Sequence, residues 1–187
     1  MTKISIGAKP LPIPAPVWLV GTYDDAGKPN IMTAAWAGIC CSKPPCVMVS
    51  LRKATYTYNN IINRKAYTVN VPSAAFIRQV DYVGMVSGRD MDKFAKTGLT
   101  PLASALVEAP YVAEFPVIME CKLIATNDLG LHTMFVGEVL DIQVDENLLD
   151  ENKHILAEQL GMVVYTGHYF TTGENLGKGF TIGKELE

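Results

Sequence analysis

The sequence predicts a mainly β fold, an antiparallel barrel with a few peripheral helices. Strand patterns outnumber helical patterns, and consecutive predicted strands are joined by short turns. No alternation of strands and helices carries the G-x-G-x-x-G sequence of a doubly wound nucleotide-binding fold. Because the chain has 187 residues, of which 49% are hydrophobic and 19% charged, we expect one globular domain over residues 1–187.

The first part of the chain is predicted to form an antiparallel meander. It begins with prolines that alternate with apolar residues and indicate an extended segment: Pro10, Pro12, Pro14 and Pro16. Four strands are expected next: residues 17–23, 30–40, 46–51 and 66–71. A short helix is expected at residues 55–63. A polar turn with glycine joins the first two strands, and Pro44 and Pro45 separate the next two.

The second part is predicted to contain more helix and two long strands. Ser73 is placed to cap a helix that carries an apolar stripe: Phe76, Ile77, Val80 and Val83. The remaining segments are a polar loop with a helical turn, two long strands, an amphipathic helix closed by glycine, and an ordered glycine-rich loop: residues 87–98, 117–127, 132–144, 150–160 and 165–187.

Composition narrows the classes of partner. The net charge of −3 and the pI near 5.6 argue against nucleic acid, because phosphate backbones require a basic surface. The mean hydropathy of +0.16 is high for a small monomer, so we expect apolar surface buried in an oligomer. The longest apolar stretch, residues 31–41, is too short and too interrupted to span a membrane. No signal-peptide pattern is present at the start, which makes the cytoplasm the expected location.

The four cysteines are given no role: Cys40, Cys41, Cys46 and Cys121. None of them forms a C-x-x-C pair, and adjacent residues on a strand point to opposite faces. We therefore expect buried, reduced cysteines that pack as small hydrophobic residues.

The strand that ends in Ser50, Leu51 and Arg52 predicts an anion site. Side chains repeat every two residues on a strand, so Ser50 and Arg52 share a face. The helix that follows offers Tyr56, Thr57 and the unpaired N–H groups of its positive end. A phosphate needs such a cation together with neutral donors. The alternative is an ordinary surface arginine followed by a helix with an N-cap threonine.

Two further segments have both a functional and a structural interpretation. Residues 33–36, Thr-Ala-Ala-Trp, let a flat ligand approach the strand backbone, with Trp36 as a wall; the alternative is core packing. In the loop of residues 87–94, Lys93 is the candidate anion contact; the alternative is a capped turn with a solvated face.

His132 also has two interpretations. It is either an acid or base near neutral pH or a hydrogen-bonded structural residue.

No motif predicts a catalytic side chain or a metal site. The three histidines lack metal-ligand spacing. The chain also contains no G-x-S-x-G nucleophile motif, no H-E-x-x-H zinc-protease motif and no Walker sequence. We therefore predict neither a catalytic residue nor a bound metal.

Taken in chain order, these motifs resemble the flavin reductase-like FMN-binding family. The resemblance depends on the number and order of short motifs: Thr33-Ala-Ala-Trp36, Val49-Ser50-Leu-Arg52, Tyr56-Thr57, Tyr67-Thr-Val-Asn70, Ser87-Gly88-Arg89-Asp90, and His132 before Val136-Gly137-Glu138-Val139. It implies an antiparallel split β-barrel with peripheral helices. It also implies a homodimer, with one FMN per protomer held non-covalently near the dimer interface.

The same resemblance implies which residues contact FMN. Those that line the isoalloxazine are Thr33, Ala34, Ala35 and Trp36. Those at the phosphate are Ser50, Leu51, Arg52, Tyr56 and Thr57. Those that complete the pocket are Asn70, Ser87, Gly88, Lys93 and His132. Thr55 stands where related sequences often carry a second basic residue, so the phosphate charge rests more on Arg52 and the helix N-terminus, with Lys53 as a further cation.

For function, the resemblance implies redox chemistry carried by the flavin. The first hypothesis is a flavin or ferric-type reductase in which hydride passes from NADH or NADPH to flavin N5. The second is an electron carrier that exchanges electrons with protein partners without NAD(P)H, and a non-redox flavin-binding dimer is a third. The expected partners are a second copy of the chain and a small-molecule or protein electron donor or acceptor, with neither nucleic acid nor membrane.

Overall fold

A computed structural model describes residues 1–186 and shows a mainly antiparallel β protein. The strands within these residues are β1 (Ala15–Pro16), β2 (Trp18–Tyr23), β3 (Pro29–Ala34), β4 (Ala37–Ser42), β5 (Pro45–Arg52), β6 (Ala66–Val71), β7 (Pro101–Ala103), β8 (Pro110–Val112), β9 (Val117–Asp128), β10 (His132–Val144), β11 (Val163–Tyr165) and β12 (Tyr169–Thr171). Seven of them form one sheet in the order β3-β2-β6-β9-β10-β5-β4, with every neighbouring pair antiparallel. The sheet curls until β3 contacts β5. The predicted mainly β, antiparallel class is confirmed.

Two small sheets and a few short helices surround the barrel. One sheet has the order β1-β11-β12, and in the other β7 pairs with β8. The α-helices of the described chain are α1 (Tyr56–Arg64), α2 (Ile77–Met85) and α3 (Lys93–Thr97), and 3₁₀ turns lie at Ala74–Phe76, Glu146–Leu148, Ala157–Gln159 and Ile182–Leu186. Asp92 caps α3 by accepting the Ala95 N–H at 3.0 Å, and Gly98 ends this helix in the left-handed conformation.

The core consists of two large apolar clusters on opposite faces of β2. Val20 belongs to the cluster inside the barrel, together with Tyr67 and Phe135. Its neighbour Leu19 belongs to the second cluster, which packs α2 against the sheet through residues such as Val80. Successive strand residues point to opposite faces, so β2 is buried on both sides. This packing fixes α2 beside β3, where a groove forms.

The predicted single strand at residues 30–40 is wrong. The structure has two strands there, β3 and β4, separated by a bend at Ala35 and Trp36. These strands lie at opposite ends of the seven-stranded sheet, so the bend carries the chain across the gap between them. The Ser50 N–H donates to the Trp36 carbonyl at 2.8 Å and fixes the crossing. A continuous apolar run gives no sign of such a break.

The predicted helix at residues 150–160 is also wrong. Oδ1 of Asp150 accepts the N–H groups of Asn152 and His154 at 2.8 and 2.7 Å. Lys153 adopts a φ of 62°, and the helical part of the segment is the 3₁₀ turn Ala157–Gln159. The Asp150 side chain thus binds backbone donors in a turn, which competes with helix formation.

The predicted loop at residues 165–187 also contains regular structure. β11 and β12 form a hairpin, and β11 pairs with β1 in the proline-rich start of the chain. The short strands β7 and β8 lie in a segment for which no strand is predicted. Each of these strands is only two or three residues long, so no local alternation indicates them.

Candidate functional site

A groove forms where the ends of β3, β5 and β10 meet α2. It consists of a wider cavity of about 540 Å³ and a narrower cavity of about 360 Å³; small-molecule pockets measure roughly 300–1,000 Å³. The two cavities share five lining residues: Met32, Arg52, Thr55, Gly84 and Met85. Because the cavities adjoin, an elongated ligand can occupy both.

The wider cavity has flat aromatic walls. Trp36, His132, Tyr165 and Tyr169 line it. The rings of Trp36 and His132 are nearly parallel, with an interplanar angle of 11° and centroids 6.5 Å apart. His132 is paired with Arg52 in the register of β10 and β5, so the aromatic wall stands next to the cation that both cavities share. These features suit a planar ring with an anionic extension.

The narrower cavity is positive in character. It lies at the N-terminus of α1, where the first backbone N–H groups have no intrahelical acceptors. Arg52 and Arg89 line it, and the ion pairs found within residues 1–186 include neither of them. Arg89 donates to the Ala54 carbonyl at 2.8 Å, and its guanidinium carbon lies 5.6 Å from the Tyr56 ring centroid. Two such arginines at a helix N-terminus favour an anion.

Lys93 is a buried residue in the lining of the narrower cavity. Its side chain is 4% exposed, and its ammonium donates to the carbonyls of Ile31 and Val83 at 2.9 and 2.7 Å. Burial lowers the pKa of Lys93 to about 8. Lys93 therefore joins α3 to β3 and α2. Its nitrogen is bound to two carbonyls, whereas the sequence interpretation treats it as an anion contact.

The loop between α2 and α3 passes very close to β3 and α1. A Cβ on Gly88 would lie 2.2 Å from Oδ1 of Asn30 and 2.7 Å from Cδ1 of Tyr56, so glycine is the residue that fits without a shift. Asn30 donates to Oγ1 of Thr57 at 3.0 Å, while its own Oδ1 is buried with no hydrogen-bond partner in the described chain. These contacts hold Thr57, which is itself buried, at the edge of the narrower cavity.

The structure brings together all but one of the predicted site residues. Those that line the wider cavity are Thr33, Ala34, Ala35, Trp36, Ser50, Leu51, Arg52 and His132. Those that line the narrower cavity besides Arg52 are Tyr56, Thr57, Ser87, Gly88 and Lys93. Asn70 lines neither cavity. It is fully buried, and its amide binds the Leu19 carbonyl, the Thr68 hydroxyl and the Val112 N–H, so it joins strands in the core instead.

Sequence reasoning missed the lining residues that come from α2 and the β11–β12 hairpin: Asp81, Gly84, Met85, Tyr165, Gly167 and Tyr169. The Tyr169 hydroxyl donates to Oδ1 of Asp81 at 2.7 Å and joins the hairpin to α2. Burial and the neighbouring Asp81 carboxylate raise the pKa of Tyr169. Two tyrosines that flank Thr-Gly-His are typical of a hairpin, and this was the available signal.

Within residues 1–186 the structure offers neither a metal site nor a membrane-spanning helix. His, Cys, Asp and Glu side chains form no group of three or more that could hold a metal ion in this part of the chain. The helices of the same residues include none that is long and apolar enough to cross a membrane.

Similar proteins share this architecture. Flavoredoxin of Desulfovibrio vulgaris (Miyazaki F) is 48% identical and matches 97% of this chain and 100% of its own, with a TM-score of 0.93. Flavoredoxin from Methanosarcina acetivorans is 27% identical and matches 100% of both chains, with a TM-score of 0.92. A Shewanella frigidimarina protein described as having a split barrel domain is 25% identical and matches 89% of this chain and 85% of its own, with a TM-score of 0.81. A family model described as "Flavin reductase like domain" matches residues 11–173, and the chain is therefore a split-barrel member of the flavin reductase-like family.

Proposed function

We propose that this chain is a flavoprotein that binds FMN non-covalently and transfers electrons through it. The observation that carries the proposal is the groove, in which a cavity with parallel aromatic rings opens into a cavity with two arginines and a helix N-terminus. FMN has a matching shape, because its flat ring system is joined through a polar chain to a phosphate. The 48% identity to a flavoredoxin over nearly the whole chain supports the same class of cofactor.

The residues of the groove fit both ends of FMN. Trp36 and His132 would orient the ring, while Arg52, Arg89 and the N-terminus of α1 would hold the phosphate. Ser50 supplies a neutral hydroxyl beside Arg52 on the same strand. When bound, FMN supplies reversible electron and hydride chemistry, and the chain supplies position and electrostatics.

For the activity, we propose an oxidoreductase that takes electrons from NADH or NADPH. Trp36 is 41% exposed, so a second planar molecule can reach the aromatic end of the groove from solvent. The acceptor would then be a small molecule such as free flavin or a ferric chelate, or a protein partner.

A second candidate function is an electron carrier between proteins that does not use NAD(P)H. The full-length similarity to two flavoredoxins favours it. In this case the open aromatic end of the groove would face a partner protein, and the chain would need no nicotinamide site.

Anaerobic stopped-flow spectroscopy separates the two functions. Bleaching of bound FMN by NADH or NADPH at catalytic rates supports the reductase. If both nucleotides fail and a reduced protein donor bleaches the flavin, the chain is a carrier. The cofactor itself has a simpler test, since purified protein without flavin absorption and without FMN uptake on reconstitution contradicts both functions.

A further inference from the structure

The β4–β5 hairpin holds three thiols at the edge of the large sheet, away from the groove. Cys40 and Cys41 are exposed on β4, whereas Cys46 on β5 is 3% exposed. The expectation that all four cysteines are buried is therefore wrong for two of them. Cys121 is the remaining buried thiol and lies on β9.

Within this cluster, Cys41 and Cys46 lie directly opposite each other. They are partners in the antiparallel register of β4 and β5. The Cα atoms of such partners are about 4.5–5.5 Å apart, and disulfides span Cα separations of roughly 4.4–6.8 Å. Cys40 is different, because it falls at the register shift between Ile39 and Cys41 and has no residue opposite it.

We propose that Cys41 and Cys46 form a reversible disulfide, made by exchange with a small-molecule disulfide such as the oxidised form of a cellular thiol. The Cys41 thiolate attacks one sulfur of the small disulfide, forms a mixed disulfide and releases one thiol. The Cys46 thiolate then attacks the Cys41 sulfur and releases the second thiol. The two cysteines lose two electrons, the small disulfide gains them, and the two cysteine protons end on the released thiols.

The order of the two steps follows from exposure. β4 is an edge strand, so the small disulfide can reach Cys41 without any movement of the sheet. Cys46 is buried behind it, and its thiol hydrogen-bonds to the Pro44 carbonyl at 3.4 Å. Burial and the neighbouring thiols raise the pKa of Cys46, which suits the thiol that reacts second. A reversible pair with one exposed thiol is typical of redox sensing in a reducing compartment.

Mass spectrometry of the folded protein tests the proposal. The full chain is incubated with oxidised glutathione, remaining thiols are alkylated, and peptides are mapped. We expect the wild-type chain to lose two hydrogens and two alkylation sites, at Cys41 and Cys46, and to recover both on reduction. The exposed-site variant Cys41→Ser should lose the internal disulfide, and Cys40→Ser and Cys121→Ser should keep it.

Three results overturn the proposal. The first is a glutathione adduct that persists on Cys41 of the wild-type chain. The second is a disulfide that joins Cys40 to Cys46. The third is a covalent dimer on a non-reducing gel, which would place the bond between chains. Circular dichroism of Cys41→Ser checks that this variant is folded before its result is used.

Discussion

Arg52 and Lys93 both border the narrower cavity, but their surroundings give them different tasks. Arg52 lies on the rim, is exposed, and belongs to both cavities. Lys93 is buried, with its ammonium between two carbonyls. We therefore expect the positive charge to serve ligand binding at Arg52 and support of the site at Lys93.

Replacement of Arg52 by alanine should weaken FMN binding. The variant loses the cation shared by the two cavities, and charge-assisted hydrogen bonds of this kind contribute about 1–3 kcal/mol, or roughly 5- to 150-fold in Kd. Isothermal titration of the flavin-free protein with FMN measures the change. Lys53→Ala is the matched control, because Lys53 pairs with Asp128 and lines neither cavity. Equal affinity of both variants would place the phosphate elsewhere.

Because of Lys93, the free energy of unfolding should rise with pH between pH 8 and pH 10.5. Its pKa falls from 10.5 to about 8 in the folded chain, so in this range the unfolded chain binds more protons and the free energy of unfolding rises with pH, by up to about 3 kcal/mol. A neutral amine still has two N–H donors for the Ile31 and Val83 carbonyls. Urea unfolding at several pH values, compared with Lys93→Met, isolates the effect.

The control for that comparison is Lys96→Met, on the same helix but exposed. It should keep the wild-type rise with pH, while Lys93→Met loses it. Identical pH profiles for wild type and Lys93→Met would show that Lys93 does not titrate in this range.

At the scale of elements, sequence patterns correctly predict those strands and helices whose formation depends on neighbouring residues in the chain. Strand periodicity places Ser50 and Arg52 on one face, and the helix signal after them places α1 correctly. The bend at Ala35 and Trp36 is fixed by a hydrogen bond from Ser50, 14 residues further along the chain, and no pattern in the segment contains it. β1 and β11 pair from opposite ends of the chain. A local pattern can therefore indicate the hairpin that carries Tyr165 and Tyr169, but not that this hairpin lines the groove.

The loop between α2 and α3 should not tolerate a side chain at Gly88. Its Cβ would meet Oδ1 of Asn30 and the Tyr56 ring, so Gly88→Ala should cost about 1–3 kcal/mol of stability and shift the loop that borders the narrower cavity. Urea unfolding measures the loss, and FMN titration measures the effect on the groove. Gly173→Ala is the control, since nothing lies within 4 Å of its added Cβ. Wild-type stability in Gly88→Ala would mean that Asn30 and Tyr56 move freely.

For the whole molecule, the positive mean hydropathy of the sequence can be compared with the apolar side chains that the fold leaves exposed. The central strands β9 and β10 expose large apolar side chains at Ile124, Leu140 and Ile142, with exposed fractions of 47%, 40% and 51%. These three side chains are our candidate positions for the oligomer interface, because large exposed apolar patches mark contact surfaces. The sequence predicts an oligomer from the same excess, although it gives no position for the interface.

A homodimer remains our prediction for the protein in solution. Sedimentation velocity should give twice the 20.4 kDa chain mass, and added salt should leave that mass unchanged, because an apolar interface is not screened as ion pairs are. If FMN binds near the interface, its apparent affinity should fall at protein concentrations where the dimer dissociates. Fluorescence titration of FMN across a dilution series measures this coupling. A monomer at all concentrations would contradict the dimer, and a dimer whose FMN affinity is unchanged by dissociation would separate the groove from the interface.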